Sequence, residues 1–369
     1  MTRRQSLMIV GALLVAASCG GGGESSSSVV AATTAPASTV GATIAPIDTT
    51  TTPPTSAAST TTTAPAPIAP LTGLEIDDAT LLDRPALLVK IDNAPGAWPQ
   101  TGVNQADIVY EENVEGWTRM AAVFHSQGSD PVGPIRSGRT QDISLGTSLD
   151  RPLLVWSGGN STTTRLINGS ELVNMSVSAA GPNGGYYRSS DKRAPHNLFT
   201  RTSNIWALDE GRGGRPSAQF SYSDGDFDGI EVTGVKLRMD GGMRASWEYD
   251  SSSGLFLRDR DDDPHVLSDG SRISTDNFVV LECEYRTSVA DSRSPEAQTT
   301  GSGKAWVYSR GRLIEGTWSR ADERSPWELT TSDGAVIGLT PGRTWVALIR
   351  SGQAETVPFG TSIDDAPWP

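Results

Sequence analysis

The sequence predicts an α+β fold behind a long disordered tether, with an α/β-type first half and a mainly antiparallel β second half. Three observations predict it. Between Gly20 and Pro70 the chain is dominated by Gly, Ser, Thr, Ala and Pro, and only Glu24 and Asp48 are charged. Such a stretch cannot bury enough apolar surface to offset its ordering entropy. From Ala86 to Glu210, short apolar runs alternate with helix-like stretches, the pattern of an α/β arrangement. From Ile230 onward, strand-like runs are separated by Gly, Asp, Ser and Pro, the punctuation of an all-β segment.

The N-terminus supplies an address. Arg3 and Arg4 precede the apolar run Leu7–Ala17, which is well short of the ~20 residues of a spanning helix and suits a cleaved signal. Small residues then lead into Cys19, so residues 1–18 read as a lipoprotein signal peptide and Cys19 as the lipidated residue. The alternative is an ordinary secretory signal cut near Ala17, with Cys19 an idle thiol. Two or three acyl chains give stable membrane anchoring where one does not. Residues 19–69 form the tether, with an r.m.s. span of roughly 40 Å. Its Thr/Pro runs suit O-glycosylation or serve as a bare spacer.

The elements follow in order. Ala86–Ile91, Asp107–Glu111 and Arg119–His125 read as buried strands, the last two joined by a turn at Gly116. Arg139–Leu149 reads as a helix capped by Ser137 or Thr140. Leu153–Trp156 is a strand, Ser161–Ile167 a helix, Leu172–Val177 a strand and Thr202–Glu210 a helix. In the second half, Ile230–Leu237, Arg244–Tyr249, Leu255–Arg258, Phe278–Tyr285, Lys304–Arg310 and Trp345–Ile349 read as strands. Asp333-Gly334 marks a hairpin. The boundary falls near residues 212–228, giving parts at 70–215 and 229–352.

Charge narrows the partners. The net charge is −13, and loss of Arg3 and Arg4 with the signal takes it to −15. That argues against nucleic acid as a partner. The cysteines are Cys19 and Cys283, so a lipidated Cys19 leaves no intramolecular disulfide. Cys283 follows an apolar run and reads as a buried core residue.

Several stretches together resemble the YerB-like lipoprotein family. They are Pro70-Leu-Thr-Gly-Leu74, Ile91-Asp-Asn93, Pro99-Gln-Thr-Gly102, Ala106-Asp-Ile-Val-Tyr-Glu111 and Gly133-Pro-Ile-Arg-Ser-Gly-Arg139. Ala194-Pro-His-Asn-Leu-Phe199, Trp247-Glu-Tyr-Asp250, Gly316-Thr-Trp318 and Pro341-Gly-Arg-Thr-Trp345 extend the match. The resemblance implies an extracytoplasmic lipoprotein with an α+β fold, in the form of a three-layer ββα sandwich. It implies no reaction and no catalytic set.

The candidate ligand site is Gly133, Arg136, Ser137, Arg139 and His196. Glycine lets a backbone approach a ligand closely, and two arginines beside a helix start suit a carboxylate or phosphate. The structural alternative pairs these arginines with Asp92, Glu111 or Glu115. His196 reads as a general base or as a cap on a neighbouring carbonyl. Asp224, Asp226 and Asp228 match the first half of a calcium loop, with Ca2+ the ion implied; the twelfth position, Val235, does not fit, and an acidic linker is the alternative. No other cofactor is indicated. Arg258–Asp263 reads as a solvated charged turn, and most of the ten Trp as core.

The leading functional reading is a non-enzymatic binding module, anchored in the cell membrane by its lipid and facing the extracytoplasmic side. Its partner would be a cell-wall component or an envelope protein. The alternative is a hydrolase or transferase acting on wall glycan or peptide, with His196 and the carboxylates Asp92, Glu111 and Glu115.

Overall fold

A computed structural model of the chain describes residues 66–369. Its first half runs through β1 (Leu87–Asp92), β2 (Ile108–Val114), β3 (Trp117–Phe124), α1 (Gln141–Gly146), β4 (Leu153–Val155), α2 (Ser161–Asn168) and β5 (Val173–Asn174). Next come α3 (Val177–Ala180), β6 (Tyr187–Arg188), β7 (Leu198–Phe199) and α4 (Thr202–Trp206). β4 lies parallel to both β1 and β5, with α2 as the crossover between β4 and β5. That is the α/β signature expected of this half.

The second half is β throughout. It contains β8 (Ile230–Arg238), β9 (Arg244–Asp250), β10 (Leu255–Arg260), β11 (Asp263–Pro264), β12 (Ser274–Thr275) and β13 (Asn277–Glu282). It continues through β14 (Tyr285–Ser288), β15 (Asp291–Ala297), β16 (Gly301–Ser309), β17 (Arg312–Arg320), β18 (Glu328–Thr330), β19 (Thr344–Ile349) and β20 (Ala354–Pro358). The pairing is antiparallel except at β19, which is parallel to β13 and to β2. The α+β class is therefore the one observed.

The halves are stitched into one sheet of order β11-β10-β9-β8-β17-β16-β13-β19-β2-β3-β1-β4-β5. The seam is the β19–β2 pair, from Thr344 opposite Ile108 to Ala347 opposite Glu111. β8 meets β17 at only two residue pairs, and there the sheet turns back on itself. Val235, Leu237, Trp247 and Phe256 of β8–β10 consequently share a core with Val89, Ile91 and Met120. On the opposite face, Leu88, Tyr110 and Ala121 pack with Leu145 of α1 and Ile167 of α2. Over β1–β4 the layers thus run β, β, α. Aromatic rings fill the β side, with Trp247 4.9 Å from both Phe278 and Trp345 between centroids.

Alternation of side chains along β1 and β2 also buries two ionic networks on opposite faces. Lys90 shares the face of Leu88 and pairs with Glu112 and, at 2.7 Å, with Asp142 of α1. Burial raises the Glu112 pKa against the pull of Lys90. Glu111, one residue earlier, points to the other face and pairs with Arg258 at 3.0 Å. Arg258 is fully buried, so the Arg258–Asp263 turn is not a solvated charge run at its first residue.

Several elements differ from the sequence expectation. The helix near residue 140 has Thr140 at its N-cap position without a side-chain cap; the Asp142 carboxylate accepts from Arg139 N–H at 2.7 Å. The strand expected at Leu172–Val177 pairs only at Val173–Asn174, and the helix expected at Thr202–Glu210 stops at Trp206. The run Phe278–Tyr285 breaks after Glu282, where Cys283 N–H turns to Ile349 O. Cys283 is buried and its thiol is pushed up to about 12 by that burial. β17, β20 and the β14–β15 hairpin had no counterpart among the predicted strands.

Candidate functional site

Two loops face each other across an open cleft of about 740 Å³. One follows β1 and carries Gly96, Trp98 and Thr101; the other joins β6 to β7 and carries Lys192, Arg193 and His196. The second loop is held from inside by Asn197. Its Nδ2 donates to Ser189 O and Lys192 O, and its Oδ1 accepts from Arg188 Nη1 at 2.7 Å. The loop is thus a shaped cradle, and His196 sits where it turns back toward β7.

His196 is oriented by a buried carboxylate. Its Nδ1 lies 2.7 Å from Asp92 Oδ2, at the end of β1. The same carboxylate faces Arg136 Nε at 3.1 Å and accepts from Ala94 N–H at 3.1 Å. Oxygens already surrounded by donors act as acceptors, so Nδ1 is the nitrogen that donates to Asp92 and Nε2 is the one turned away from it. No hydrogen bond occupies Nε2 among the described residues. A Cβ built on Gly96 would fall 2.7 Å from His196 Cδ2, so only glycine leaves room for the ring there. Gly96→Ala is expected to push the ring off Asp92. The check is the His196 imidazole NMR signals, which should lose the Nδ1–H resonance sheltered by Asp92.

The opposite side of the cleft is aromatic. Trp98 is pinned by the Arg260 guanidinium, 3.3 Å from its ring centroid, and by the rings of Trp117 and His265 at 6.2 and 6.1 Å. Beneath it, Gln100 Nε2 donates to Asp92 O and Asn93 Oδ1, and Gln100 Oε1 meets His265 Nε2 at 2.9 Å. His265 in turn accepts from Arg258, the partner of Glu111. The cleft therefore rests on a buried polar network spanning both halves of the chain.

The residues singled out from the sequence separate. His196 lines this cleft. Arg136 joins it indirectly through Asp92 and does not line it. Arg139 and Ser137 line a second cleft, of about 290 Å³, beside Asn160. Arg139 is a bidentate partner of Glu115, at 2.8 and 2.7 Å. Burial would raise the Glu115 carboxyl, but the bonds from Arg139 and Ser294 bring it down to about 2. The pairings are those of the structural alternative. Gly133, at φ 149°, serves close packing of protein on protein: a Cβ there would lie 2.7 Å from Phe199 Cδ1 and 2.9 Å from Leu198 O.

Asp224, Asp226 and Asp228 are exposed and flank the buried Phe227. Among the described residues no group of three or more His, Cys, Asp or Glu is placed to hold a metal ion. Cys19, the signal and the tether up to residue 65 lie outside the described residues; the last tether residues are ordered, with Ala69 buried and Ile68 bridged to Glu75. Among the described residues no helix is long and apolar enough to cross a membrane.

Trp98, Lys192 and Arg193 had not been singled out from the sequence. The signal was present in Pro95-Gly-Ala-Trp-Pro99, where an aromatic residue sits in a Pro- and Gly-bounded loop instead of a strand. A Trp in such a loop has no core position waiting for it.

The chain matches two family descriptions, "Protein of unknown function (DUF3048) N-terminal domain" over residues 71–215 and the DUF3048 C-terminal domain over residues 235–346. "Putative lipoprotein YerB" of Bacillus subtilis is 27% identical over 315 residues, covering 80% of this chain and 90% of the relative. The crystal structure of the YerB protein from Bacillus subtilis superposes with a TM-score of 0.70 at 22% identity, over 78% of this chain and 99% of that one. That likeness establishes the shared fold.

Proposed function

This chain belongs to the DUF3048 family, and on that footing we propose that it is a lipid-anchored, non-enzymatic binding module on the extracytoplasmic face of the membrane. It holds a cell-wall component in the cleft between Trp98 and His196. The observation that carries this reading is the construction of the cleft: a fixed aromatic ring on one side, a tethered polar loop on the other, and a buried network beneath both. Preorganised aromatic and polar groups are what a binding site needs, because they lose little entropy when the ligand arrives. The likeness to a relative described as a putative lipoprotein supports the anchor.

The hydrolytic alternative is favoured by one feature. His196 on a buried carboxylate is the arrangement that orients a general base. A single experiment separates the readings. Purified sacculi are incubated with the protein and then pelleted, and the supernatant is analysed for released fragments. The binding reading expects the protein in the pellet, no released fragments, and retention reduced about tenfold or more by Trp98→Ala. Soluble fragments that disappear with His196→Ala would favour the enzyme instead.

A further inference from the structure

The chemistry of the cleft defines its ligand more narrowly, and the inference rests on the binding reading above. We propose that the cleft takes an acidic N-acylamino sugar unit, with its ring face on Trp98, its carboxylate between Lys192 and Arg193, and a neutral N–H or O–H donor on His196 Nε2.

Charge is the first argument. The chain carries 43 acidic and 30 basic residues, yet this cleft presents Lys192 and Arg193 against the single acid Asp191. Asp191 is already engaged by the Ser189 and Ser190 hydroxyls at 3.1 and 3.3 Å. Lys192 is fixed by a 2.7 Å bond from Nζ to the Trp98 backbone carbonyl, which holds its ammonium group against the loop that carries Trp98. An anion entering here meets a local cationic pair on an otherwise anionic protein.

His196 supplies the second argument. Asp92 takes the Nδ1 proton, which makes Nε2 an acceptor in the neutral ring, and no other hydrogen bond among the described residues occupies it. In that neutral form it pairs with an N–H or O–H donor and gives nothing to a carboxylate or phosphate oxygen. The ligand that fits both the cationic pair and the neutral ring presents an anionic group and a neutral N–H or O–H. A bare anion satisfies only half the site. The aromatic walls are the third argument. Trp98 is braced by Arg260, and Tyr187 stacks on Phe199 at 5.8 Å. Such rings suit the C–H face of a pyranose.

The test measures Trp fluorescence and calorimetric titration with three probes: the disaccharide of N-acetylglucosamine and N-acetylmuramic acid, N,N′-diacetylchitobiose, and a poly(glycerol phosphate). The first two share rings and acetamido groups and differ in the lactyl carboxylate. We expect the acidic disaccharide to bind about tenfold or more tighter than the neutral one. Lys192→Gln with Arg193→Gln should remove that preference without changing the circular dichroism spectrum, and Arg193→Gln alone should reduce it. Equal affinity for both disaccharides overturns the proposal, as does binding of the phosphate polymer alone. If no probe binds while sacculi still retain the protein, the ligand class is wrong and the binding reading stands. If sacculi do not retain it either, both fall.

Discussion

Arg258→Met is expected to destabilise the protein by about 3–5 kcal/mol, because it strands a buried carboxylate. Both Arg258 and Glu111 are fully buried. Glu111 receives Arg258 Nη2 at 3.0 and 3.3 Å, Trp345 Nε1 at 3.1 Å, Thr118 Oγ1 at 2.8 Å and Asn93 Nδ2 at 3.1 Å. Removing the arginine leaves the neutral donors and takes away the only full positive charge among them. Glu111 lies on β2, Arg258 on β10 and Trp345 on β19, so the penalty falls where the halves are stitched together. Urea denaturation of the single variants and of Arg258→Met with Glu111→Gln gives the coupling. The double variant should recover much of the loss, since removing both charges leaves no uncompensated ion. A single-variant loss below about 1 kcal/mol would mean that solvent reaches the network.

That network also explains which parts of the molecule could be read from the chain alone. β1, β2, β3, β8, β9 and β19 were legible because burial and strand period act on neighbouring residues. The pairing of Arg136 with Asp92 and Arg139 with Glu115 was one of two readings, and sequence spacing offers no means of choosing between them. Arg258 was misread because a charged residue in Arg258-Asp-Arg-Asp-Asp-Asp263 looks solvated unless its partner, 147 positions away, is known. β17 was missed because Arg312–Arg320 is rich in charge and carries Gly316 at its centre; its place in the sheet comes from neighbours on both sides, not from its own propensity. The ligand cleft had the same difficulty. Its two loops are about a hundred residues apart, and the irregular segment around Gly133 ties the strands that carry them, with Ile135 N–H on Leu198 O and Arg136 N–H on Lys90 O. The sequence drew attention to that segment as a ligand site, whereas in the fold it is the tie between the walls of one.

The second large effect concerns pH, and His265 carries it. Gln100 Oε1 is an acceptor, so His265 Nε2 donates to it, and Nδ1 accepts from Arg258 Nη1. Both ring nitrogens are thus committed in the neutral form. Burial, followed by the charges of Arg258 and Arg260, lowers the His265 pKa well below 6.5. In the unfolded chain the ring takes up a proton near pH 6.5, while in the fold it stays neutral. The unfolded state then binds more protons, so this stabilisation is present above about pH 6.5 and is lost as pH falls toward the folded pKa. His265→Gln keeps a donor and an acceptor without titrating. Wild type should be the more stable at about pH 7, and its advantage should shrink by up to about 1.4 kcal/mol per pH unit below about 6.5. Other titrating groups, such as His125, held down to about 4 by burial, and Asp107, raised to about 6 by burial, pull in opposite directions. They are common to both chains and cancel in the difference. Denaturation midpoints of the two proteins from about pH 7 to about pH 4.5 therefore isolate one imidazole. A gap that stays constant across that range would place the His265 proton elsewhere. A closing gap would tie acid sensitivity to Gln100 and Arg258, and through Gln100 to the floor beneath Trp98.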